Sequence, residues 1–146
     1  MMFRTFVAAA IVVIGAGAAI AQSDPIAQRK ALMKEVGAAT RVGSQMVKGD
    51  APFDLAKAKS VLASYAKAAS GMHELFPENS RTGGETSASP KIWEDSKAFR
   101  AKFDAWGAQI EKAAAATSDL DSFKASFGTV TKACGDCHET YRISKS

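Results

Sequence analysis

The chain has 146 residues, one domain's worth at roughly 100–200 residues per domain, with 47% apolar and 23% charged residues. That balance excludes a disordered tail, a collagen-like fibre and a disulfide-dense miniprotein. The net charge of +4 is mild, no block of Lys or Arg stands out, and aromatics do not interleave with basic residues, so nucleic-acid binding has no support.

Residues 1–21 read as a processing segment. Met1-Met2-Phe3-Arg4 is a short basic start, Phe6 to Ala18 is apolar or glycine throughout, and Ala19-Ile20-Ala21 is a small-x-small cleavage pattern. The apolar run sits at the lower limit of the roughly 17–20 residues a bilayer needs, and the cleavage pattern follows at once. The expectation is a signal peptide over 1–21, removed on export to the periplasm. The mature domain is then 22–146, a chain of 125 residues with a charge of +3, because Arg4 leaves and no acid does. It holds no second apolar run of membrane-spanning length.

The mature chain has helical spacing and little strand signal. The first helix opens on Asp24 as cap with Pro25 at its first position. Ile26, Met33, Thr40 and Val47 then recur every seven residues until Lys48-Gly49. The second begins near Pro52-Phe53-Asp54, carries Leu55, Ala58, Leu62, Tyr65, Ala69 and Met72, and stops before Pro77. A polar loop, Glu78 to Ser89, contains Gly83-Gly84. The third helix is predicted to open at Ser89-Pro90 and to run through Ile92, Trp93, Phe99, Phe103, Trp106 and Ile110 to an alanine tail. The fourth starts at Ser118, with Asp121 in a capping-box position, and presents Leu120, Phe123, Phe127, Val130, Cys134, Cys137 and Tyr141. Four long helices joined by mostly short connections predict an all-α antiparallel four-helix bundle.

Cys134-Gly135-Asp136-Cys137-His138 is C-x-x-C-H, the attachment signature of a c-type haem. On a helix, positions 134, 137 and 138 fall at i, i+3 and i+4 and share one face. Two thiols at that spacing can each add to a porphyrin vinyl group, and the adjacent imidazole then serves the iron as an axial ligand. The chemistry requires an oxidising export route, in agreement with the signal peptide. A thioredoxin-like C-x-x-C wants a βαβ setting, which is absent. A structural zinc site wants four ligands, whereas the chain has two Cys and two His in all. A disulfide between residues three apart closes too small a loop to stabilise much.

A C-x-x-C-H on the last helix of an exported bundle, followed by Tyr141-Arg142, resembles the cytochrome c-prime family. Arg29, Lys48-Gly49, Leu75-Phe76-Pro77 and Pro90-Lys91-Ile92-Trp93 match family positions in order, so the resemblance covers residues 24–143. It implies one covalent haem c on Cys134 and Cys137, with His138 as axial ligand. It also implies that Arg29 contacts a haem propionate. High-spin members keep the sixth iron position open under an apolar residue four after that Arg. The low-spin subgroup, of cytochrome c-556 type, has a methionine there. In this chain that position is Met33, so His138 and Met33 are the expected axial pair.

Other readings weigh against these. Met33 lies on an apolar stripe and would otherwise be core. Met46 and Met72 sit near the far ends of their helices and are expected to be core. His73, the one other imidazole, is expected to face solvent. Arg142 would either shield His138 or support the helix end. Trp93 and Trp106 are expected in the core, and Gly37 and Gly43 are candidates for admitting the macrocycle. The functional expectation is a monohaem one-electron carrier that is not an enzyme. Its partners would be redox proteins, with no nucleic acid and no membrane after signal removal, and it would be a monomer or homodimer. The rivals are a binder of nitric oxide or carbon monoxide and, in another class, a haem-free helical interaction module.

Overall fold

The computed structural model describes residues 24–143, so the expected signal peptide lies outside the described residues. Five α-helices follow in order: α1 (Pro25–Lys48), α2 (Leu55–Gly71), α3 (Lys91–Glu94), α4 (Ser96–Ala116) and α5 (Leu120–Tyr141). The four long ones form the bundle. Each begins on an aspartate whose carboxylate accepts a backbone N–H from the first turn. Asp24 takes Ile26 N at 2.9 Å, Asp54 takes Lys57 N at 3.0 Å, Asp95 takes Ala98 N at 2.9 Å and Asp119 takes Ser122 N at 2.8 Å. Gly49 closes α1 in the left-handed region at φ 83°, its N–H reaching Met46 O.

Two boundaries differ from the sequence reading. The third helix is broken at Asp95 (φ −139°, ψ 73°), which separates the single turn of α3 from α4 and caps the latter. The fourth is capped by Asp119, not Ser118, in a reciprocal box with Ser122, whose hydroxyl accepts the Asp119 N–H at 3.0 Å. A carboxylate accepts more strongly than a hydroxyl, so the register shifts by one residue. Between α2 and α3 the chain makes two 3₁₀ turns, Met72–Leu75 and Glu78–Ser80.

The core is an aromatic column. Phe53, Phe123, Phe127, Tyr65, Trp106, Phe103, Phe99 and Tyr141 follow one another with ring centroids 5.0–6.5 Å apart. Tilted and edge-on pairs dominate, as ring quadrupoles favour. Each buried Phe contributes about 1.5–3 kcal/mol through area alone. Two side chains explain why the expected core tryptophans need no water: Trp106 Nε1 donates to Val130 O at 3.1 Å, and Trp93 Nε1 donates to Phe76 O at 2.9 Å.

The helices pack in the cyclic order α1, α2, α4, α5, and the α1–α5 side is the sparsest of the four. At Gly43 the Phe127 ring of α5 lies against the backbone of α1. A Cβ there would overlap the Phe127 ring, so only glycine lets the helices cross at this point. The expectation that Gly43 admits the macrocycle is thereby corrected: the group it admits is Phe127.

Candidate functional site

The site lies above that crossing. Helix α5 runs through Cys134, Cys137 and His138 without a break, so the three share the face that their i, i+3, i+4 spacing dictates. Both cysteines are half-buried free thiols, and Cys134 packs against the core. Burial pushes both thiols above their ordinary value; the neighbouring Cys134 raises Cys137 further, and Lys102 opposes it. Desolvation, and then the Arg142 charge, hold His138 below the ordinary imidazole value. That favours the neutral ring, the form that ligates a metal. Arg142 therefore acts on the His138 side chain, while its backbone N–H caps His138 O at 3.2 Å.

Across the seam stands α1. It runs antiparallel to α5 as the bundle requires, and Gly43 against Phe127 fixes the register. Met33 lies ten residues before Gly43 and Cys137 ten residues after Phe127, each about 15 Å from the crossing at 1.5 Å per residue. Met33 is thus level with Cys137 and His138, on the helix opposite. It is half-buried and packs on the edge of the core, whereas Met46 and Met72 are 2% and 1% exposed and are core as expected.

Arg29, one turn before Met33, is 6% exposed. Nη1 donates to Leu75 O and Ser80 Oγ, both at 2.9 Å; Nη2 donates to Ser80 O at 2.9 Å and Thr86 Oγ1 at 2.7 Å. The guanidinium also stacks 4.6 Å over the Phe76 ring. Among the described residues no carboxylate lies within 4 Å of it. Desolvation lowers its pKa, partly offset by the more distant Asp24. All four terminal N–H groups are thus spent inside the protein, which the sequence reading did not foresee. Ser80 and Thr86 gave no signal, because polar loop residues that grip a distant helix follow no periodicity.

His73 corrects a second expectation. Its side chain is 10% exposed, and both ring nitrogens are buried without a hydrogen-bond partner. Glu74 Oε1 is 3.3 Å from Nε2 but off the bond direction, and Phe103 faces the ring at 6.3 Å. The 3₁₀ turn Met72–Leu75 carries it inward against α4 instead of out to solvent. Thr40 and Tyr65, placed on separate stripes by the sequence, share a 2.8 Å hydroxyl bond across α1 and α2. Burial drives the Tyr65 pKa up to about 12.

The donor set fits a covalently held haem. Two unpaired thiols and a neutral-leaning imidazole lie on one helical face, beside a sparsely packed seam, with a buried cation that has no carboxylate of its own. A helical bundle with such a seam is a c-type cytochrome of the four-helix class. The sequence profile of the cytochrome c' family matches residues 24–142, and the chain belongs to that family. The cytochrome c' of Rhodopseudomonas palustris is 44% identical over the full length of both chains. A cytochrome c-556 of the same organism is 35% identical over 97% of each. Among solved structures, the R. palustris cytochrome c' superposes with a TM-score of 0.82 at 42% identity, covering 86% of this chain and 100% of that one. The oxidised R. palustris cytochrome c-556 gives 0.77 at 28% identity, covering 84% and 98%. The cofactor is accordingly one covalent haem c.

Proposed function

We propose that this cytochrome is a periplasmic, low-spin carrier of single electrons, with His138 and Met33 as the axial pair. What supports the reading is register: counted from Gly43 against Phe127, Met33 falls ten residues along α1 and Cys137 ten along α5, across the sparsely packed seam. The haem supplies a ferric–ferrous couple, and a thioether ligand biases it toward ferrous. The chain's residues do the rest. Cys134 and Cys137 fix the group to α5, and Arg142 disfavours protonation of His138. Arg29, buried with no carboxylate of its own, would offer its positive charge to a propionate. His138 and Met33 would ligate the iron, and the haem would supply a one-electron couple in which no substrate bond is made or broken. The partners are redox proteins. No helix among the described residues is long and apolar enough to cross a membrane.

The test is Met33→Leu, a nearly volume-neutral change costing less than ~1.5 kcal/mol of packing. The ferrous variant should bind carbon monoxide far faster than wild type, and its potential should fall. Met46→Leu and Met72→Leu should match wild type. A Met33→Leu protein with the wild-type rate and potential would refute the assignment.

A second reading has its own support. The identity to a cytochrome c' exceeds that to a cytochrome c-556, and a cytochrome c' variant of Alcaligenes xylosoxidans, 29% identical, was solved as a nitric oxide complex. In that reading the distal position is open or Met33 is displaced, and the protein captures a diatomic gas.

A further inference from the structure

The seam that separates Met33 from His138 is bridged, above the crossing, by a segment that belongs to neither helix. On the α1 side, Leu75, Ser80 and Thr86 take all four terminal N–H groups of Arg29. On the α5 side, the same segment pairs with the end of the proximal helix. Ser89 N donates to Tyr141 O at 3.0 Å, Ile143 N donates to Ser87 O at 2.8 Å, and Ala88 and Arg142 form an antiparallel bridge. Tyr141 is three residues beyond His138, and Arg29 is four residues before Met33. The segment is braced internally as well: Ser80 Oγ donates to Pro77 O at 2.8 Å, and Ala88 N donates to Thr86 Oγ1 at 3.1 Å.

We propose that residues 75–89 are a strut that sets the spacing between α1 and α5, with Arg29 as the positioning residue that holds Met33 in ligating range. The inference rests on the assignment of Met33 as ligand. Its mechanics follow from the register. Gly43 against Phe127 is a pivot, and Arg29 is fourteen residues away, about 21 Å along α1. Met33 lies between, nearer the grip than the pivot. Direct α1–α5 packing is sparse, so a slack grip lets the Met33 turn move away from α5. The grip uses donors from a charged group, buried from water, which makes it stiff.

Two cuts at opposite ends of the strut test this in the holoprotein. Thr86→Val removes one acceptor of Arg29 without touching Arg29 or its charge. Ile143→Pro removes the N–H that holds Ser87, and the extended backbone of Arg142 (φ −124°, ψ 134°) suits a following proline. Each variant should raise the carbon monoxide association rate of the ferrous protein roughly tenfold, the factor commanded by about 1.4 kcal/mol, a typical worth for a bond of this kind. In a Met33→Leu background neither cut should add to the rate, because the ligand being positioned is already gone. Should Thr86→Val not fold, Ser80→Ala replaces it. Variants that unfold more easily but keep the wild-type rate would show the strut to be structural only, and would overturn the proposal. A wild type that already binds at the Met33→Leu rate would instead overturn the Met33 assignment on which it stands.

Discussion

The two opposite seams of the bundle are built differently. Where α2 meets α4 the packing is dense: the Tyr65 and Trp106 rings lie 5.8 Å apart, and a Cβ on Gly107 would stand 3.8 Å from that of Ala69. Where α1 meets α5 the packing is sparse: Phe127 lies against Gly43, and a loop ties Arg29 of α1 to the end of α5. The first seam is finished by protein atoms alone. In the proposed reading the second is completed by the haem. A closely packed seam loses stability to any change of volume, whereas a seam made for a ligand loses function first.

The largest effect should come from withholding the cofactor. Cys134→Ala with Cys137→Ala removes both attachment points and should split the bundle by hydrogen exchange. Amides of 29–36 and 134–141 should exchange by local opening, while those of α2 and of α4 around Phe103 to Ile110 stay protected. Equal protection at both seams would remove the contrast. Next in size, Gly43→Ala drives a methyl into the Phe127 ring at the crossing. The expected loss is about 1–3 kcal/mol by urea unfolding, against a gain of about 0.5–1 kcal/mol for Gly37→Ala, an exposed mid-helix position whose Cβ would meet no protein atom within 4 Å. The smallest effect is alkaline. Tyr65 keeps its proton to about 12 in the folded state, while in the unfolded chain it ionises near about 10. Between those values the unfolded state binds fewer protons, so stability falls as pH rises. Tyr65→Phe should flatten that slope and leave the neutral-pH haem spectrum unchanged.

Much of this contrast was legible in the sequence, and the part that was not has a physical reason. Helical period, the Asp24-Pro25 start and the C-x-x-C-H face are local patterns, and each maps onto an observed element. Met33 was singled out by the family resemblance, as the position four residues after Arg29 on the same helix. The break at Asp95 was hidden because Ile92, Trp93 and Phe99 keep a helical period straight through it. The Arg29 grip was hidden more deeply. Its partners lie 46–57 residues away in a polar loop, where nothing in the spacing of Ser80 or Thr86 marks them. His73 was misplaced for the same reason: its burial is decided by Phe103 on another helix.

The central claim is that Met33 closes the seam opposite His138. The absorption spectrum of the oxidised holoprotein tests it most directly. The account predicts a methionine-to-iron charge-transfer band on a low-spin spectrum, present in wild type and absent from Met33→Leu. A wild-type protein that is high-spin, with no such band, would contradict it.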